Sequence, residues 1–293
     1  MTTIPFLNHL PSVAITAVQT SIAMIAFAAN SLLCRLALRQ ELIDAASFAT
    51  VRVISGALML FLIVLPHWKT NGRPETSWRS ATMLFTYMAF FSFAYLSLSA
   101  GTGALILFAA VQLTMFTVAI RSGEQFPLLS WAGLALAVIG LIYLVSPGIT
   151  APDPLGALLM TVAGIAWGVY SLLGKGCPNP LAATANNFIY SVPLVIVVSF
   201  LFLGDLHISP EGLALAASSG AIASGLGYTI WYAALRGLKP TSAATVQLSA
   251  PVIAAFGGVL LLSEPITLRL ILASTATLGG VAIVLTQRNQ SLK

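Results

Sequence analysis

SLLCR at residues 31–35 returns as SLLGK at residues 171–175, a separation of 171 − 31 = 140 in a chain of 293 residues. The same offset sets Phe48 on Phe188, Ala94 on Ala234, Ala104 on Ala244, Glu124 on Glu264, Leu128 on Leu268 and Gly140 on Gly280. Alanine matches carry little information in so apolar a chain. The paired glutamates carry more, because the chain holds only 8 acidic residues. The offset stays constant from one end of each half to the other, as an internal repeat requires.

Composition gives the medium in which this repeat folds. Hydrophobic residues make up 58% of the chain and charged residues 7%, against roughly 25% charged in an ordinary soluble domain. Runs of about 20 apolar residues match the thickness of a bilayer's hydrocarbon core. Runs bounded by charge or by Pro and Gly predict ten spans: 11–34, 44–66, 78–98, 102–120, 127–146, 155–174, 181–203, 212–235, 241–262 and 266–286. The expected fold is an all-α membrane protein of ten transmembrane helices, with repeats at 1–146 and 147–293. Each repeat has five spans, an odd number, so the second enters the membrane inverted. Inverted repeats serve alternating access around a site at their interface.

Charge sets the expected orientation. With both termini in the cytoplasm, the inner side collects Lys69, Arg73, Arg79, Arg121, Lys175, Arg236, Lys239, Arg288 and Lys293. The outer side receives Arg35, Arg39 and Arg269, the bias that fixes topology during insertion. The basic excess therefore points to a lipid bilayer, with no nucleic-acid partner. The first run lacks a preceding Lys or Arg and exceeds a 7–15-residue signal core, so it reads as an uncleaved helix. Cys34 and Cys177 fall near opposite membrane faces and read as small packing residues.

Several patterns carry a family resemblance. They are FAANSLLCRLAL (27–38) and AWGVYSLLGK (166–175), an arginine in FATVRVISGALML (48–60), and an acidic residue before each glycine-bearing last span, SGEQFPLLSWAGLALAVIG and LSEPITLRLILASTATLGG. The chain resembles the EamA-type branch of the drug/metabolite transporter superfamily over nearly its whole length. The resemblance implies an exporter or exchanger of small metabolites, amino acids among them. It also implies a cavity lined by the first, third and fourth helices of each half. Val111 stands where the second half has Pro251, so the two halves need not bend alike.

Polar and aromatic residues at membrane depth are the candidates for substrate binding. Gln112 and Gln247 offer amide donors and an acceptor to a polar solute, or glue helices together. Tyr87, Phe91, Trp167, Tyr170, Tyr228 and Trp231 form an aromatic set, and Phe91 and Trp231 occupy equivalent places (231 − 91 = 140). Such rings hold apolar groups, stack on cations or simply pack. Asn30 and Tyr170 are placed nearer the cavity mouths.

Arg52 lies eight residues inside a span that begins at Asp44, about 12 Å deep at 1.5 Å per residue. It reads as a gating or structural cation, capping carbonyls of a neighbouring helix or engaging a substrate carboxylate. Pro251 and Pro193 deprive Gln247 and Ile189 of their helical partners and mark bends or hinges. Small-residue pairs, Gly164 with Gly168, Gly133 with Ala137 and Ala276 with Gly280, allow close helix approach. The last two pairs also raise a homodimer through the last helix of each repeat as an alternative to a monomer.

No Asp, Glu or His lies near the middle of any span, so a carboxylate proton relay is not expected. The chain has no HExxH or GxSxG motif and no Cys/His cluster. Neither an enzyme nor a metal or other cofactor is indicated. The expected function is export of small amphipathic metabolites, foremost amino acids, across a bacterial inner membrane by facilitated diffusion or exchange. Export of nucleobases, nucleosides or cationic drugs, and a non-transporting membrane scaffold, are the alternatives.

Overall fold

A computed structural model describes residues 12–71, 77–123, 125–174, 177–238 and 240–291. Arg73, Glu124, Lys175, Gly176, Lys239 and Lys293 lie outside these residues, as do the side chains of Ala244 and Arg288. The described chain is helical: α1 (Ser12–Arg39), α2 (Ala45–Asn71), α3 (Trp78–Ala94), α4 (Ala100–Arg121), α5 (Leu128–Val145), α6 (Pro154–Leu173) and α7 (Pro180–Leu201). The eighth span, α8 (Pro210–Leu235), is followed by a ninth in two pieces, α9a (Pro240–Gln247) and α9b (Ser249–Leu262), and by α10 (Leu268–Ser291). Nine spans among the described residues are long and apolar enough to cross a membrane. The tenth helix, α3, has 17 residues.

Local chemistry places the helix starts. Asp153, Asn179 and Ser209 each accept a hydrogen bond from the backbone N–H three residues on, and each is followed by proline at the first helical position. The cap satisfies an orphan donor and the proline has no N–H to orphan. Ser77 and Ser99 cap α3 and α4 in the same way.

α1, α2 and α10 run past their expected ends at 34, 66 and 286, and two other spans are interrupted or cut short. The span expected at 78–98 ends as a helix at Ala94. Ser99 must adopt an extended cap conformation to start α4, and buried Tyr95 turns inward to donate its hydroxyl proton to the Ala100 carbonyl at 3.3 Å. The span expected at 241–262 breaks at Leu248, three residues before Pro251. Proline cannot donate to the Gln247 carbonyl, which explains the interruption. Pro193, by contrast, stays inside the unbroken α7.

Helix pairing follows the repeat. α1 packs on α8 and α9b while α6 packs on α3 and α4; α2 meets α8 while α7 meets α3; α2 pairs with α7, α4 with α9b and α5 with α10. Exchanging each helix of the first half for its counterpart five helices later leaves this pattern unchanged. The α5–α10 pair lies at the side of the bundle. A Cβ on Gly133 would sit 2.7 Å from the Gly280 carbonyl, and one on Gly140 would meet Thr277 and Ala276. These small residues are therefore consumed in packing α5 against α10 within one chain, which removes them as support for a dimer. Gly164 and Gly168 similarly admit α4 against α6.

Candidate functional site

At the centre of the bundle a narrow cavity is lined by Phe27 and Asn30 of α1, Tyr87 and Phe91 of α3, Leu107 and Phe108 of α4, Trp167 of α6, and Tyr228 of α8. Its free volume is about 20 Å³, room for about one water. The rings form one continuous chain. Tyr87 lies 5.5 Å from Phe91 and 4.8 Å from Trp167; Trp167 lies 5.4 Å from Tyr170 and 5.5 Å from Tyr228. Phe27 then bridges Tyr228 and Trp231 at 5.8 and 5.7 Å, edge to face, the arrangement aromatic quadrupoles favour.

The structure thus places four of the six aromatic candidates, Tyr87, Phe91, Trp167 and Tyr228, in the lining of one cavity, drawn from both halves of the chain, while Tyr170 and Trp231 pack against lining rings from outside it. Phe27, Leu107 and Phe108 line it too and were missed. A signal for Phe27 was present, because 27 + 140 = 167 makes it the repeat counterpart of Trp167, aromatic for aromatic without identity. The two glutamines stand apart. Gln112 lines a separate pocket of about 60 Å³ between α4, α5 and α10, with Phe116, Phe126, Leu134 and Val281. Gln247 turns its amide to the Ala243 carbonyl of its own helix at 3.4 Å. Neither lines the aromatic cavity.

The helix that brings Tyr228 to the cavity is built in an unusual way. Within α8, residues Ser219–Leu226 form a π-helix, a widened turn found disproportionately at functional sites. Asn30, buried to 3% exposure, holds this turn: its Oδ1 accepts hydrogen bonds from Ser219 at 2.8 Å and Ser224 at 3.3 Å. Gly220 lies directly against the Arg52 carbonyl and the Ser55 hydroxyl. Any side chain there would push α8 away from α2.

Arg52 itself is fully buried. Its Nη2 donates to the Tyr87 hydroxyl at 3.0 Å. The guanidinium carbon lies 4.6 Å from the Phe91 ring centre and 5.3 Å from that of Tyr87. Nε and Nη1 have no hydrogen-bond partner. The expected capping of helix carbonyls is therefore not what this arginine does in the structure.

The two ends of the bundle differ. At the end carrying Arg35, Arg35 Nε pairs with Glu264 Oε1 at 3.2 Å. Arg35 Nη1 also donates to the Tyr95 and Leu96 carbonyls, each at 3.0 Å. Glu264 Oε2 accepts from the Ala100 N–H at 2.9 Å, at the start of α4 where an anion is favoured. Arg39 donates to the Leu262 carbonyl, and Ser97 to Asp153 at 3.0 Å. This network ties α1, the α3–α4 turn, the start of α6 and the α9b–α10 connection together. At the opposite end, Tyr170 donates to Thr184 at 3.0 Å, and Thr184 shares a 2.9 Å hydrogen bond with Tyr232. No cluster of metal ligands occurs among the described residues.

Known proteins share this architecture. Residues 154–286 match the EamA-like transporter family. The uncharacterized protein PA1977 of Pseudomonas aeruginosa is 49% identical over 277 residues, covering 93% of this chain and 95% of its own. The threonine/homoserine exporter RhtA of Salmonella typhimurium is 28% identical over 249 residues, covering 82% of this chain and 81% of its own. A solved crystal structure superposes with a TM-score of 0.64 at 18% identity, over 92% of this chain and 97% of that one. With apolar helices long enough to span a bilayer and relatives of this kind, the chain is a multi-pass membrane transporter that belongs to the EamA-like transporter family.

Proposed function

We propose that the protein exports small amphipathic metabolites, amino acids foremost, from the bacterial cytoplasm by alternating access between its two five-helix repeats, 1–146 and 147–293. The observation that carries this reading is the central aromatic cavity, built at helix midpoints from both halves of the chain. Tyr87, Phe91, Trp167 and Tyr228 form walls for an apolar side chain, with Trp231 and Tyr170 extending them. Asn30 holds the cavity wall. The exporter name of RhtA, a distant relative, supports amino acids as cargo.

The positive-inside bias places both termini in the cytoplasm of an inner-membrane protein. In that orientation the Arg35–Glu264 network closes the outer end, and the state described is shut to the outside. The Leu248 break near Pro251 is the hinge candidate. Among the described residues Glu264 is the buried acidic side chain, and it is paired with Arg35. No carboxylate is left at the cavity to carry a proton. Transport by facilitated diffusion or exchange follows.

Flux of labelled amino acids in proteoliposomes, with and without a pH gradient, tests the proposal. Saturable flux independent of the gradient is the expected result. Flux that appears only with the gradient overturns the facilitator mechanism. Absence of any amino-acid flux overturns the cargo.

A further inference from the structure

We propose that Arg52 is the carboxylate-recognition element of the cavity, so that its cargo carries a carboxylate and bare cations are excluded. This rests on the reading of the aromatic cavity as the transport site and deepens it to a chemical class. Arg52 is fully buried, yet its Nε and Nη1 donors have no partner. A guanidinium has five N–H donors and stays protonated in a protein. One of the five engages Tyr87; the three on Nε and Nη1 are unused. A buried permanent cation ordinarily finds an anion, and polar groups at membrane depth are costly unless function retains them.

The cation lies directly behind the cavity wall, and Arg52 is not itself a lining residue. Arg52 is held by the Tyr87 hydroxyl and stacked against the rings of Tyr87 and Phe91, and both rings line the cavity. Phe91 and Tyr87 stabilise the charge through their faces but cannot neutralise it. The π-helical turn of α8 and the backbone contact at Gly220 fix α2 where Arg52 starts, so the head group is pre-positioned. A small shift of the Tyr87 ring opens Nη1 and the second Nη2 hydrogen to one carboxylate. That end-on pairing is bidentate, the strongest arginine–carboxylate geometry. The aromatic walls then receive the substrate's apolar side chain. A cation in the same cavity would meet like charge with no buried acid to offset it.

The test uses the full chain purified in detergent, with tryptophan fluorescence as the readout, since Trp167 lies 4.8 Å from Tyr87. Three probes of nearly equal shape are titrated: leucine, leucinamide, and 4-methylpentanoate, which keeps the carboxylate and lacks the ammonium. Leucine and 4-methylpentanoate should bind, with leucinamide at least about 10-fold weaker. In Arg52→Gln both carboxylates should weaken by about 10- to 100-fold, the loss expected for a charged hydrogen bond, and the discrimination should vanish. Arg52→Lys should retain part of it. Should Arg52→Gln fail to fold, the leucine-to-leucinamide ratio in the parent protein decides. Equal binding of leucine and leucinamide overturns the role of Arg52 and leaves amino-acid export standing. Binding of 4-methylpentanoate without leucine keeps the role of Arg52 and overturns the amino-acid cargo. Binding of none overturns both.

Discussion

Glutamine at position 264 should unlatch the Arg35 end. Glu264 is 8% exposed and uses both carboxylate oxygens, one on Arg35 Nε and one on the Ala100 N–H. Glutamine keeps the shape but offers one carbonyl oxygen and no charge. It can serve one of the two donors, not both. Loss of a single hydrogen bond to a charged group costs about 1.5–3 kcal/mol. If that energy separates the closed from the open state, the open population rises roughly 10- to 150-fold.

Cys34 reports on this directly. It is fully buried, one residue before Arg35 in α1, and the second cysteine, Cys177, is easily replaced by alanine. A charged, membrane-impermeant maleimide applied from outside should modify Cys34 about 10- to 100-fold faster in Glu264→Gln than in the parent. A parallel protein carrying Cys177 alone, after Cys34→Ala, gives the control at the other end. The reasoning is refuted if Cys34 reacts at the parental rate in a folded Glu264→Gln protein. It is equally refuted if Cys34 and Cys177 speed up alike, because that means general loosening. Arg35→Lys should act in the same direction, since an ammonium cannot span Glu264 and the Tyr95 and Leu96 carbonyls together.

Asn30→Ala removes the acceptor shared by Ser219 and Ser224. Two buried hydroxyls lose a partner, so stability should fall by about 1–3 kcal/mol, measured as a lower Tm by thermal unfolding in detergent. Gly220→Val forces α8 away from the α2 backbone. The strain expected of an overpacked contact, about 1–3 kcal/mol or more, should appear as loss of monodisperse protein on size exclusion. Trp167→Ala deletes the ring that joins Tyr87, Tyr170 and Tyr228. Competition assays should then show bulkier amino acids gaining affinity relative to small ones, against an unchanged ranking if the ring only packs. Gly133→Leu should separate α5 from α10, lowering Tm without altering that ranking.

The helix count was legible because it follows from apolar runs separated by charge, proline and glycine. Span ends were drawn at charge, proline and glycine, yet α1, α2 and α10 each run about five residues beyond the ends so drawn, α2 straight through Pro66. The α3 boundary was not legible. Its apolar character runs on through Tyr95 to Leu98, and only the cap at Ser99 and the inward turn of Tyr95 end the helix early. The π-helix was hidden for a related reason. SGAIASGL reads as a small-residue helix, and its widening depends on Asn30, 189 residues away. For the site, aromatic character at depth pointed to Tyr87, Phe91, Trp167 and Tyr228, which line the cavity, and to Tyr170 and Trp231, whose rings pack beside it. The glutamines lie outside the aromatic cavity; an amide at mid-span says how deep it lies, not which way it faces. Gln247 stands at the repeat position of Leu107 (247 − 140 = 107), and it is Leu107 that lines the cavity.

The repeat offset relates packing but not chemistry, and that difference would orient a bound solute. The main helix pairs are preserved when the halves are exchanged, so the proposed alternating access would rock either half against the other with similar contacts. The polar groups are not exchanged. Arg52 has Val192 as its counterpart (52 + 140 = 192), and Asn30 has Tyr170 (30 + 140 = 170). Charge therefore sits on α2 alone, beside the α3 rings, while the second half contributes Trp167 and Tyr228, rings without charge. A solute with one charged end and one apolar end has a single favourable orientation in such a cavity. Under the proposed alternating access, symmetric motion around this asymmetric lining would let one site hold the same end of its cargo throughout the cycle.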